Sequence, residues 1–116
     1  NMRVVDNLYF LQSLAHSTST KKRHLIIDWA TNEHIRTVSE LFLNILRGVV
    51  PLPNHLYYLL NKNKTIIRKL ANRKVTFSVK RRILRNKGKP LIDSLSEILE
   101  IITKIIPEFH HSRHVL

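Results

Sequence analysis

Apolar residues recur along this chain three and four positions apart, the spacing of one face of an α-helix, and almost nowhere in the alternation of a half-buried strand. Leu8, Leu11 and Leu14, with Tyr9 and Phe10 between them, predict a first helix. The polar run Ser17-Thr18-Ser19-Thr20 ends it and is expected to be the most flexible link in the chain. Leu25, Ile26, Ile27 and Trp29 form an apolar patch that fits a helical turn or a strand equally well. The helix over 33–47 is the best marked. Thr31 or Asn32 can serve as its N-cap, Glu33 sits in its first turn, and Ile35, Val38, Leu41, Phe42, Ile45 and Leu46 come next at helical spacing, with Gly48 just past the end.

Pro51 and Pro53 force an extended link and then open a helix through Leu56, Tyr57, Leu59 and Leu60. Asn61, Asn63 and Asn72 punctuate the next stretch of chain. Two short helices are expected there, one over 64–71 on Ile66, Ile67 and Leu70, and one over 79–86 on Val79, Ile83 and Leu84 with Ser78 as N-cap. Gly88 and Pro90 set off a last helix over 91–106, stopped by Pro107. The pattern predicts an all-α fold, a compact bundle of five or six short helices in one domain over 1–107, and after it a mobile tail over 108–116.

Composition narrows the class of protein. The 116 residues are 43% apolar with two glycines and four prolines, too rich in core-forming residues for a disordered packaging peptide. Cysteine is absent, which removes disulfides, zinc fingers and thiol chemistry and suits a reducing compartment. The apolar stretch over 91–106 is interrupted by Asp93, Glu97, Glu100 and Lys104, so a membrane span is not expected.

Charge changes the picture most. Lys62, Lys64, Arg68, Lys69, Arg73, Lys74, Lys80, Arg81, Arg82, Arg85, Lys87 and Lys89 fall in one segment of 28 residues that holds no Asp or Glu. The other 88 residues carry eight basic and eight acidic side chains, so the formal +12 is local. A neutral body with one concentrated cationic element suits a polyanion, because each cation placed on a phosphate releases a condensed counterion. These twelve residues are the candidate nucleic-acid contacts. Arg81, Arg82 and Arg85 are expected to project together from the 79–86 helix, and their loss to weaken binding without affecting folding. Lys and Arg outnumber the Asn and Gln that read adenine, so phosphate-directed binding to duplex DNA is favoured over sequence reading. The order helix, short turn, basic helix loosely matches a helix-turn-helix, although the turn lacks its usual glycine. A rival reading has the basic face meeting an acidic protein surface.

From Val38 to Lys89 the chain carries Ser39-Glu40, Leu43-Asn44-Ile45-Leu46-Arg47-Gly48, Pro51-Leu52, Ile67-Arg68-Lys69-Leu70-Ala71-Asn72-Arg73-Lys74, Lys80-Arg81-Arg82-Ile83-Leu84 and Gly88, in that order. That ordered set, about 50 residues, resembles small basic proteins of Polinton/Maverick-type DNA transposons and adintovirus-like elements. The resemblance implies a component of a virus-like particle or of its packaged DNA; DNA binding in a eukaryotic setting places the protein in a nucleus or a virion, and the rival reading adds capsid or other particle proteins as partners. Where relatives continue with Gly-Gly-Phe and a small-residue apolar tail, this chain has Gly88-Lys89-Pro90 and an acidic-faced helix.

Other constellations add less. Tyr57, Tyr58 and Phe77 are the aromatics of the basic region, too sparse for a single-strand stacking groove, and two of the three fit core positions. Leu91, Leu95, Ile98, Ile102 and Ile105 form a 4-3-4-3 seam, expected either to face the core or to join two copies into a homo-oligomer. A membrane-surface role for that helix is disfavoured by its acidic polar face. His110, His111 and His114 lack the partners of a metal site, and the acidic residues are scattered over separate helices, so neither cofactor nor enzymatic activity is expected.

Overall fold

The computed structural model describes residues 7–105; the His110, His111 and His114 cluster and the expected tail lie outside them. The described residues form eight helices and no strand: α1 (Leu8–Ala15), α2 (Thr20–Trp29), α3 (Asn32–Leu46), α4 (Asn54–Lys62), α5 (Lys64–Ala71), α6 (Phe77–Lys87), α7 (Lys89–Asp93) and α8 (Leu95–Ile105). The all-α expectation holds and the count exceeds it, for two local reasons. Ser19, expected in a flexible link, accepts the Lys22 N–H on its hydroxyl at 3.1 Å and caps α2, so the ambiguous apolar patch is helical. The expected 91–106 helix is broken at Ser94, whose buried hydroxyl and N–H both donate to the Leu91 carbonyl at 2.7 and 3.2 Å, closing a turn where the α-ladder should continue.

The long helix α3 is set at both ends by its sequence. Thr31 and His34 form a reciprocal capping box at 3.1 and 3.2 Å, and the His34 ring stacks on Phe10 of α1 at 4.3 Å. At the far end Gly48 adopts φ +74°, a conformation L-residues rarely take. The Gly48 and Val49 N–H groups then reach back to the Ile45 and Asn44 carbonyls.

One cluster of buried residues draws on all eight helices, with Leu11, Leu14, Ile27, Ile35, Phe42, Ile67, Leu70, Leu84, Leu91, Ile98 and Ile102 among its innermost side chains. Helix α3 packs most extensively on α5, and α1 on α8. Helix α6 is the hub, touching α2, α3, α5 and α7. Its junction with α7 is tight: a Cβ at Gly88 would lie 2.5 Å from the Leu84 carbonyl oxygen, closer than any side chain permits.

The expected self-association seam is core. Leu91, Leu95, Ile98 and Ile102 are buried against the chain's own helices, and only Ile105, 40% exposed, reaches solvent. The seam is wide because α7 and α8 face α1 and α6 from one side of the bundle, so the stripe serves several intramolecular neighbours.

Candidate nucleic-acid interface

The cationic segment is built on the end of α4, on α5, on the turn after it and on α6. Helix α5 matches its expected bounds, with Ile67, Leu70 and Ala71 buried and Lys64, Arg68 and Lys69 turned out. Lys64 and Arg68 are one turn apart and share a face. Asn72 closes the turn by accepting the Lys74 N–H at 2.9 Å, which leaves the Arg73 and Lys74 side chains exposed. At the end of α4, the Lys62 ammonium lies 4.6 Å from the centre of the Tyr58 ring.

Helix α6 departs from expectation, and with it the role of its cations. Thr76, not Ser78, is the N-cap, accepting the Val79 N–H at 3.3 Å, and the helix begins at Phe77. Phe77, Lys80 and Leu84 then fall at spacings of three and four on the face toward α3. Lys80 is 3% exposed, and its ammonium donates to the Ser39 hydroxyl at 2.8 Å. Burial lowers its pKa from the ordinary lysine value. In the pH interval between its folded and unfolded values the unfolded chain holds the extra proton, so Lys80 opposes folding at low pH and that penalty fades as pH rises through the interval.

Arg81 also turns inward. One of its terminal nitrogens donates to the Ile27 and Ala30 carbonyls at 2.6 and 2.8 Å, closing the C-terminal end of α2. Its guanidinium is thus a helix cap in trans. Arg85 reaches Asp28 at 3.1 Å while its carbonyl accepts from the His24 ring at 3.1 Å, and Lys89 pairs with Asp93 at 2.7 Å. The expectation that Arg81, Arg82 and Arg85 project together is therefore corrected. Arg82 faces solvent; Arg81 holds two helices together; Arg85 is exposed but paired.

Lys62, Lys64, Arg68, Lys69, Arg73, Lys74, Arg82 and Lys87 remain exposed, and among the described residues no ion pair engages them. Helix α6 packs on α2, α3 and α5, and Lys80 and Arg81 near its start are engaged within the fold, which takes two cations from the face a helix-turn-helix would present to a groove. A second correction concerns the aromatics, two of which fit core positions by sequence: Tyr57 and Tyr58 are each 64% exposed, and Phe77 is half-buried beneath the Arg36 guanidinium at 5.2 Å. Tyr57 shares a shallow groove with Leu46, Lys64 and Arg68.

Among the described residues no cluster of His, Asp or Glu could hold a metal ion, and no helix is long and apolar enough to cross a membrane. Among the described residues, fold and surface together define an all-helical chain that carries exposed cations on the end of α4, on α5, on the turn after it and on α6. Comparison with protein-family models, curated proteins and solved structures returns no match.

Proposed function

We propose that this chain binds nucleic acid, with duplex DNA favoured, through phosphate contacts from Lys62, Lys64, Arg68, Lys69, Arg73, Lys74, Arg82 and Lys87. The observation that carries the reading is that the fold satisfies four cations of the basic segment internally and leaves these eight exposed and, among the described residues, without a carboxylate partner. Repulsion among them opposes folding, and a polyanion relieves it while releasing its counterions. Arg85 and Lys89 are secondary contacts, since exposed ion pairs are worth about 0–1 kcal/mol and exchange partners readily. The resemblance to small basic proteins of virus-like mobile elements supplies the setting: organising or packaging the element's genome.

A rival reading has the cationic face meeting an acidic protein surface of the particle. It is favoured by the exposed Leu46 and Tyr57 side chains, which sit in one groove with Lys64 and Arg68. The two differ in their response to charge removal. Changing Lys64, Arg68 and Lys69 to Gln is expected to weaken binding to every duplex alike, and to flatten the dependence of log K on log salt by about 3. Melting should stay unchanged because all three side chains are exposed. Fluorescence anisotropy on two unrelated duplexes checks this; an unchanged salt slope removes these residues from the interface.

A further inference from the structure

A pocket of about 500 Å³ opens between α3, the α5–α6 turn and the first turn of α6. Its lining holds four cationic side chains, Arg36, Arg73, Lys74 and Lys80, against one carboxylate, Glu40. Lys80 is the unusual member. An ammonium that is almost wholly buried ordinarily meets a carboxylate, because an uncompensated buried charge is costly. Here its bonding partner is the neutral Ser39 hydroxyl, which itself donates to the Ile35 carbonyl at 3.3 Å. An ammonium has three protons to give, so the Ser39 bond leaves donor capacity at the pocket lining. Two further features favour a negative charge there. The pocket includes Thr76 and Phe77 at the positive end of the α6 dipole; the Val79 N–H of this first turn is taken by the Thr76 hydroxyl, and the Phe77 and Ser78 N–H groups have no intrahelical acceptor.

We propose that this pocket binds a phosphomonoester, with the phosphate held by Lys80 within and by Arg73 and Lys74 at the turn. The desolvated ammonium gains the counter-charge that the fold denies it, and guanidinium and ammonium groups together suit a doubly charged phosphate better than the singly charged diester of a duplex backbone. The volume falls within the range of small-ligand sites and exceeds what a phosphate fills. Leu43, Val75 and Phe77 wall the remainder, an apolar surface fit for the sugar or base of a terminal or free nucleotide. The proposal shares Arg73 and Lys74 with the DNA reading and is separated from it by Lys80, which is not among the exposed cations.

The test is titration of the full chain with inorganic phosphate at constant ionic strength, monitored by amide NMR. Phosphate is expected to shift the signals of Ser39, Thr76, Phe77 and Lys80 before those on the outer face of α5. Lys80→Met is expected to weaken phosphate binding about tenfold or more, as loss of a charge-assisted hydrogen bond implies, while leaving duplex affinity unchanged. Should Lys80→Met fail to fold, the double change of exposed Arg73 and Lys74 to Gln serves, with a loss of about tenfold expected. Comparing a 5′-phosphorylated dinucleotide with its 5′-hydroxyl form identifies the source: tighter binding of the former than of phosphate assigns a nucleotide end, equal binding assigns free phosphate. No shifts at the pocket up to about 10 mM phosphate, or equal binding by the variants, would overturn the site.

Discussion

Changing Ile98 and Ile102 together to Lys is expected to unfold the chain. Both side chains are essentially inaccessible, at 0% and 1% exposure, on the face of α8 that packs against the bundle. Placing an ammonium at either position costs several kcal/mol after relaxation, and two such costs rival the roughly 5–15 kcal/mol by which a domain of this size is stable. The milder Ile98→Ala isolates the packing term and is expected to cost about 2–5 kcal/mol. Circular dichroism with size-exclusion chromatography reads both. A double variant that stays helical and merely changes its oligomeric state would return α8 to the role of an intermolecular seam.

Arg81→Ala is expected to cost about 3 kcal/mol, because two charge-assisted hydrogen bonds to the Ile27 and Ala30 carbonyls are lost at once. The Ala30 carbonyl then loses its charged donor in a part-buried junction, while the Ile27 carbonyl keeps only the Ala30 N–H at 3.3 Å. A fall in Tm of roughly 10 °C or more is expected for a domain of this size. Arg82→Ala, one residue away and exposed, should leave the Tm unchanged and weaken DNA binding. The opposite pair of results, a stable Arg81→Ala that binds DNA poorly, would restore Arg81 to the phosphate-contacting set.

Both expectations rest on residues whose place the sequence made legible only in part. Helix α3 could be read because its cap, its stripe and its terminal glycine agree: Thr31, the run from Ile35 to Phe42, and Gly48 all point to the same bounds. Helix α5 could be read from its stripe of Ile66, Ile67 and Leu70 between Asn63 and Asn72. Charge identity hid Lys80 and Arg81. Lys80 holds a stripe position between Phe77 and Leu84, three and four residues away, and that spacing was the available signal once the helix is started at Thr76 rather than Ser78. Arg81 gave no such signal, since its acceptors are carbonyls 54 and 51 positions away. Ser94 looks helical by pattern, and only its side-chain bond to Leu91 shows the break between α7 and α8. The tyrosines mislead in the other direction. Tyr57 and Tyr58 continue the apolar run of α4, yet Leu56 and Leu60 fill its buried face, and the rings are left beside the cations.

Of the candidate site, the cationic segment was legible in the sequence, and its division into a buried, a paired and an exposed set was not. Apart from the stripe position of Lys80 and the Lys89–Asp93 pair four residues apart, that division depends on which helices pack on α6, a tertiary fact that local spacing does not carry. It also changes the expected strength of binding. With eight exposed cations free of ion pairs among the described residues, rather than twelve, five or six phosphates is a reasonable count of contacts.

Whether the exposed cations serve a nucleic acid at all is decided by the affinity of the chain for a random duplex, measured across salt concentration. Binding is expected to tighten as salt falls, with log K declining against log salt at a slope near −5, indifferently to sequence. No binding at low salt, or a slope flatter than about −2, would refute the DNA reading.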